Sequence, residues 1–188
     1  VPPLVPYKIT ICGLTELCEH AAAGISHVLT IIDPDHPDPK DFTSYGPHAR
    51  TVWRFHDIIK PAEGQVHPTE DSVRRVLEFG EAAKRQPIDH LLVHCHMGMS
   101  RSTAAAVILM VQDNPGRETD AFEHLAEIRP YTWPNSLMLR HADALLRREG
   151  VLLEAMRRHH VRMARAYPNL AALLRGGERD AEVPKDIG

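Results

Sequence analysis

The chain has 188 residues, 43% hydrophobic and 25% charged, with a formal charge of -3. That suits one domain burying about 70% of the surface its unfolded chain exposes. The balance argues against a nucleic-acid binder, no apolar run is long enough to span a membrane, and Cys12, Cys18 and Cys95 are too few for a disulfide scaffold. The opening Val-Pro-Pro-Leu-Val-Pro-Tyr-Lys does not read as a signal peptide. A reducing cytoplasm is the expected setting.

Tyr7 to Ile11 predicts a short first strand, and Leu14 to Ala23 a short helix stopped at Gly24. Val28 to Ile32 is a β-branched run closed by Asp33-Pro34, which fits a buried strand. Residues 35–48 read as a loop, Thr51 to Phe55 as a strand leading into His56-Asp57, and residues 60–68 as a second loop. Thr69 is placed to cap a helix whose first turn carries Glu70 and Asp71. Val73, Val76, Leu77 and Gly80 keep helical spacing, and Pro87 ends the region. Leu91 to Val93 is a strand running into Cys95, and Thr103 to Val111 is apolar nearly all round, as a central helix would be. Asn114-Pro115-Gly116 breaks it; helices are then expected at Thr119 to Ile128, Asn135 to Arg148 and Val151 to Ala166. The basic cluster Arg157-Arg158-His159-His160 with Arg162 and Arg165 reads as a solvated face. Strands alternating with helices give an α/β class: three layers, with a mainly parallel sheet between helices. The expected division is a single domain over residues 1–175 and a flexible tail over 176–188.

Residues 94–102, His-Cys-His-Met-Gly-Met-Ser-Arg-Ser, carry the chemistry. Five residues separate Cys95 from Arg101, enough for a loop to curl round one tetrahedral anion. The backbone N–H groups of His96, Met97, Gly98, Met99, Ser100 and Arg101 would then converge on it, aided by the positive end of the following helix. Gly98 allows a backbone geometry or close approach that a side chain would obstruct. Arg101 offers a planar pair of donors to two oxygens. This field favours the Cys95 thiolate as a nucleophile toward phosphorus. Ser102 is near enough to donate to the sulfur when it leaves, and His94 supports the loop. A leaving oxygen needs a proton from a carboxylic acid. Asp57, just past a strand end, is the candidate, with Asp33 as the alternative acid.

These residues resemble the loop His-Cys-x-x-Gly-x-Ser-Arg-Ser/Thr of the protein tyrosine phosphatase superfamily, in its compact dual-specificity type. Gly24 to Leu29 resembles the segment entering a core strand. Asp57 after Trp53-Arg-Phe-His56 resembles the mobile-loop acid, and Ile128-Arg129-Pro130 with Pro134-Asn135 resembles the segment behind the loop, Asn135 supporting it. The resemblance spans about residues 12–147. It implies a phosphomonoester hydrolase working through phosphocysteine, without metal or cofactor. Its substrate would be a phosphorylated protein or small phosphomonoester, with inorganic phosphate or sulfate suited to the loop. His96, Met97 and Met99 stand where inositol-phosphate-directed relatives often carry lysine, which favours phosphoprotein. The alternatives are a phosphate-ester-binding module with little turnover, an inositol-phosphate phosphatase, rhodanese-type sulfur transfer and arsenate reduction. A zinc site using His56, His90, His94, Cys95 and His96 is a further rival, disfavoured because adjacent strand residues point in different directions.

Overall fold

The computed structural model describes residues 2–86 and 88–185; the helix stop assigned to Pro87 and the last residues of the expected tail lie outside them. Four strands form one sheet: β1 (Lys8–Cys12), β2 (His27–Ile32), β3 (Ala49–Arg54) and β4 (His90–His94), in the order β1-β4-β2-β3. Every pairing is parallel, with Cys12 beside His94 and Thr30 beside His94 at the ends that lead to the loop.

Among the described residues, five α-helices follow the sequence pattern with shifted edges, α1 (Glu70–Arg85), α2 (Arg101–Gln112), α3 (Glu118–Ile128), α4 (Ser136–Leu145) and α5 (Val151–Ala166), and a sixth comes after them, α6 (Pro168–Leu174). α1 starts where its chemistry dictates: the Thr69 hydroxyl accepts from Ser72 N, acids fill the first turn, and Lys84 and Arg85 the last. The helix expected over Asn135 to Arg148 begins one residue later and stops at Leu145, because Asn135 is its cap, its Oδ1 accepting from Leu137 N and Met138 N at 3.1 Å each. The helix expected from Leu14 is a 3-10 turn over Leu14–His20, and the loop between β2 and β3 contains another at Asp41–Ser44. α6, with Pro168 in its first turn, was not anticipated.

The two sheet faces are covered differently. Ile9, Ile11, Leu29, Ile31, Leu91 and Val93 join the main core with α1, α2 and α4. Cys12, Val28 and Leu92 on the other face pack with Leu17 and Phe42 from the 3-10 turns. Alternation along the strands sets this division. It also sends His94 and Cys95 to opposite faces, and puts α2, apolar all round, in the interior.

One expectation is corrected. Within the basic cluster, Arg157 and Arg158 are exposed, but His159 and His160 are buried. His159 bonds Thr132 Oγ1 through Nε2 at 2.8 Å, and His160 stacks on Trp133 at 4.4 Å. Burial drives both ring pKa values down to about 3. The segment from residue 176, expected as a tail, is laid against the core as far as Lys185, with Val183 buried beside Trp133, Met163 and Leu170.

Candidate active site

β4 delivers Cys95 to the C-terminal end of the sheet, and α2 begins at Arg101, so residues 95–100 have to turn within one loop. Gly98 makes the turn possible. Its φ is +64°, and a Cβ there would sit 2.4 Å from the Cys12 carbonyl carbon and 2.6 Å from Gly13 N. Gly13 reciprocates, since its Cβ would lie 2.9 Å from His96 O. Gly98→Ala is expected to cost about 3 kcal/mol or more, through left-handed strain and a clash with backbone. A thermal melt would show it as a fall of about 6 °C or more for a domain of this size; an unchanged melt would refute this reading of the turn.

The loop carbonyls are held from outside. His96 O accepts from Leu14 N at 2.9 Å, Met99 O from Trp133 N at 2.8 Å and Ser100 O from Asn135 N at 3.3 Å. Arg129 donates to Gly98 O and Met97 O at 3.2 Å each. A bidentate pair with Glu16, at 2.7 and 2.8 Å, fixes Arg129 and holds the Glu16 carboxyl below its usual range. In a trans peptide the N–H points opposite its neighbouring carbonyl. The N–H groups of Met97 to Arg101, each sharing a peptide with one of these carbonyls, therefore turn toward the loop's interior, and none donates to a described residue. Convergent donors of this kind suit an oxyanion.

Cys95 is buried beneath these amides, its sulfur 3.2 Å from Ser102 Oγ. His94 anchors the strand end behind it: Nε2 meets Thr30 Oγ1 at 2.8 Å, and burial lowers the ring to about 4, so it is neutral near pH 7. Met97 is 70% exposed at the rim, whereas Met99 packs toward the Trp133 cluster. His96 accepts from Asp33 N through Nε2 at 3.2 Å. Its pKa is lowered mainly by desolvation.

Arg101 is almost wholly buried. Its NH1 donates to Asp33 Oδ1 at 2.6 Å and to Phe55 O, whereas its buried Nε has no partner. Asp33 thus steers the guanidinium. Asp57 occupies a different position: Oδ1 accepts from Ser100 Oγ at 2.6 Å and Asn135 Nδ2 at 2.9 Å, and Oδ2 has no bond among the described residues. Both aspartates therefore reach the loop, Asp33 through Arg101 and Asp57 through Ser100. Cys12 lies across the sheet from Cys95, with burial driving its thiol up to about 12. Among the described residues, no group of three or more His, Cys, Asp or Glu could hold a metal ion.

Sequence reasoning missed Arg179. Its NH1 donates to Ser100 Oγ at 2.6 Å and lies 3.6 Å from Asp57 Oδ1, while NH2 reaches Trp133 O. Glu182 holds it through Nε at 2.6 Å. The available signal was the Arg-x-x-Glu spacing, which suits one turn, although nothing local connected it to Ser100. Glu16, paired with Arg129, was missed for the same reason.

No protein-family model matches the chain. It is 37% identical over 83 residues to Protein phosphatase Slingshot homolog 3 of Homo sapiens, covering 44% of this chain and 12% of that protein. It is 26% identical over 125 residues to Dual specificity protein phosphatase 1 of Arabidopsis thaliana, 65% of this chain and 56% of that protein. The chain thus spans between an eighth and just over half of these curated relatives. Among solved structures it resembles human DUSP28, with a TM-score of 0.54 at 20% identity over 77% of this chain and 97% of that one. It also resembles the human tyrosine phosphatase-like serine/threonine/tyrosine-interacting protein, with a TM-score of 0.55 at 18% identity over 80% and 95% of the two chains.

Proposed function

We propose that this chain is a cysteine-dependent phosphomonoester hydrolase of the protein tyrosine phosphatase and dual-specificity phosphatase-like superfamily, a reading supported by its fold and by weak sequence similarity. The observation that carries the reading is the inward set of unpaired amides above the Cys95 sulfur, flanked by the unpaired Nε of Arg101.

In this mechanism the Cys95 sulfur attacks phosphorus in line, forming the S–P bond as the ester P–O bond breaks. The amides and Arg101 hold the equatorial oxygens through the transition state. Asp57, protonated for this step, gives its proton to the leaving oxygen through Oδ2. In the second step its carboxylate takes a proton from water; the water oxygen attacks phosphorus, the S–P bond breaks, and inorganic phosphate leaves. Ser102 Oγ donates to the departing sulfur. Asp33 is a positioning residue for Arg101, and Asn135 does the same for Asp57.

The substrate class this favours is a phosphoprotein. The variable loop side chains are His96, Met97 and Met99, none a fixed cation for a second phosphate, and exposed Met97 offers an apolar rim to an aryl ring.

Asp57→Asn tests the assignment of the acid. Hydrolysis of an alkyl phosphate, whose leaving group needs the proton, is expected to fall by about 10²–10⁴-fold. A nitrophenyl phosphate, with a good leaving group, should suffer far less. If Asp33→Asn shows that substrate-dependent loss and Asp57→Asn does not, the roles are reversed. If folded wild type binds tungstate but turns over neither ester, the protein is a phosphate-binding module instead.

A further inference from the structure

α5 lies beyond the segment carrying the sequence resemblance, and with α4 it walls a cavity of about 370 Å³. The remaining walls come from Ile59 and Lys60, just past Asp57, and from residues 181–184. None of residues 95–102 lines it, so it is separate from the phosphate loop. Its volume lies in the range of small-molecule sites.

Two features of the lining point to an occupant. The first is charge. Lys60, Arg140 and Arg157 reach the cavity around an apolar surface of Leu153, Met156 and Val183, and none of the three cations is paired with a carboxylate among the described residues. Arg140 spends its bonds on Ile59 O at 3.0 Å and Ser136 Oγ at 3.4 Å. The acid in the lining, Glu182, is fully engaged. Its Oε1 accepts from Ser136 N, and its Oε2 from Trp133 Nε1 and Arg179 Nε. The cavity therefore carries uncompensated positive charge in a chain of net charge -3. The second feature is His160, a lining residue only 1% exposed: its neutral ring donates to the Pro134 carbonyl, so the unpartnered Nε2 is an acceptor that calls for a donor in the cavity and takes no part in holding the anionic head. A buried polar atom is seldom left unmatched without a reason.

We propose that this cavity binds a small amphipathic anion. The anionic head sits among Lys60, Arg140 and Arg157, and the apolar body lies against Leu153, Met156 and Val183. Electrostatic attraction brings the head to the mouth, and area removed from water holds the body. The proposal stands independently of catalysis.

The test is calorimetric titration of the full chain with decanoate, in the presence of saturating tungstate to occupy any oxyanion site in the loop. One decanoate per chain is expected. The double variant Lys60→Glu, Arg157→Glu, both exposed positions, should bind at least about tenfold more weakly, as should 1-decanol to the wild type, each a loss of about 1.4 kcal/mol. Val161→Trp, filling the cavity from its half-buried wall, should remove binding. Absence of saturable heat overturns the proposal, and so does equal affinity in the charge-reversed variant or for decanol. The charge-reversed variant decides the matter even if Val161→Trp does not fold.

Discussion

Cys95→Ser is expected to abolish turnover of a small aryl phosphate, lowering kcat by about 10⁴-fold or more, as removal of a nucleophile does elsewhere. The oxygen is smaller than the sulfur it replaces and sits on a shorter bond, so it fits the same space beside Ser102, whose Oγ lies 3.2 Å from the sulfur. Carbonyls held by Leu14, Trp133, Asn135 and Arg129 orient the amides, and none of those bonds passes through the Cys95 side chain. Oxyanion affinity should therefore change little while chemistry stops, because an alcohol is seldom ionised near neutral pH. Parallel measurements of nitrophenyl phosphate hydrolysis under reducing conditions and of tungstate binding separate the two effects. A serine variant retaining more than about a hundredth of wild-type kcat would remove Cys95 from the nucleophile's role.

Arg101→Lys should be nearly as damaging, by about 10²–10³-fold in kcat. The guanidinium performs two tasks at once: NH1 is tied to Asp33 Oδ1 and Phe55 O, leaving the buried Nε edge free to face an oxyanion. A lysine carries the charge but lacks the planar fork, so its ammonium can satisfy Asp33 or a phosphate oxygen and not both in line. Asp33→Asn should do less harm and show it chiefly in KM, because the arginine keeps its bond to Phe55. A thermal melt on each variant distinguishes loss of the clamp from loss of the fold. Near-wild-type kcat in Arg101→Lys would mean that the guanidinium geometry contributes nothing to the transition state.

The turn between β4 and α2 could be read in the sequence because its parts are contiguous: an apolar strand, a short run containing one glycine, an arginine and an apolar helix. Each has a local cause, and the structure places them in that order. The parallel sheet and α1 were legible for similar reasons, β-branched runs and the Thr69 cap. Glu16 and Arg129 were harder, since they meet across more than half the chain and neither sits in a periodic pattern that implies the other. Gly176-Gly177-Glu178-Arg179-Asp180 has the composition of a solvated tail, so nothing local signals the contacts made by Arg179 and Glu182. The charges of Arg179 and Glu182 find partners in Ser100, Trp133 and the first N–H of α4, and it is these bonds that allow them to be buried. His159 and His160 misled, as ionisable residues in a basic run that are held neutral by burial.

The inward amides of Met97 to Arg101 also have a thermodynamic meaning. N–H dipoles converging on one point repel one another, so the loop's shape is sustained by its outer bonds against an internal strain. A tetrahedral oxyanion bound there would relieve that repulsion, and only in the folded chain, since the unfolded one cannot gather the donors. Binding and folding are therefore linked: at a hundred times its dissociation constant, such an ion would add about 2.7 kcal/mol to stability. Inorganic phosphate, the product of the proposed reaction, would thus be a folding ligand as well as an inhibitor. The resistance of this chain to unfolding would rise and fall with the phosphate around it.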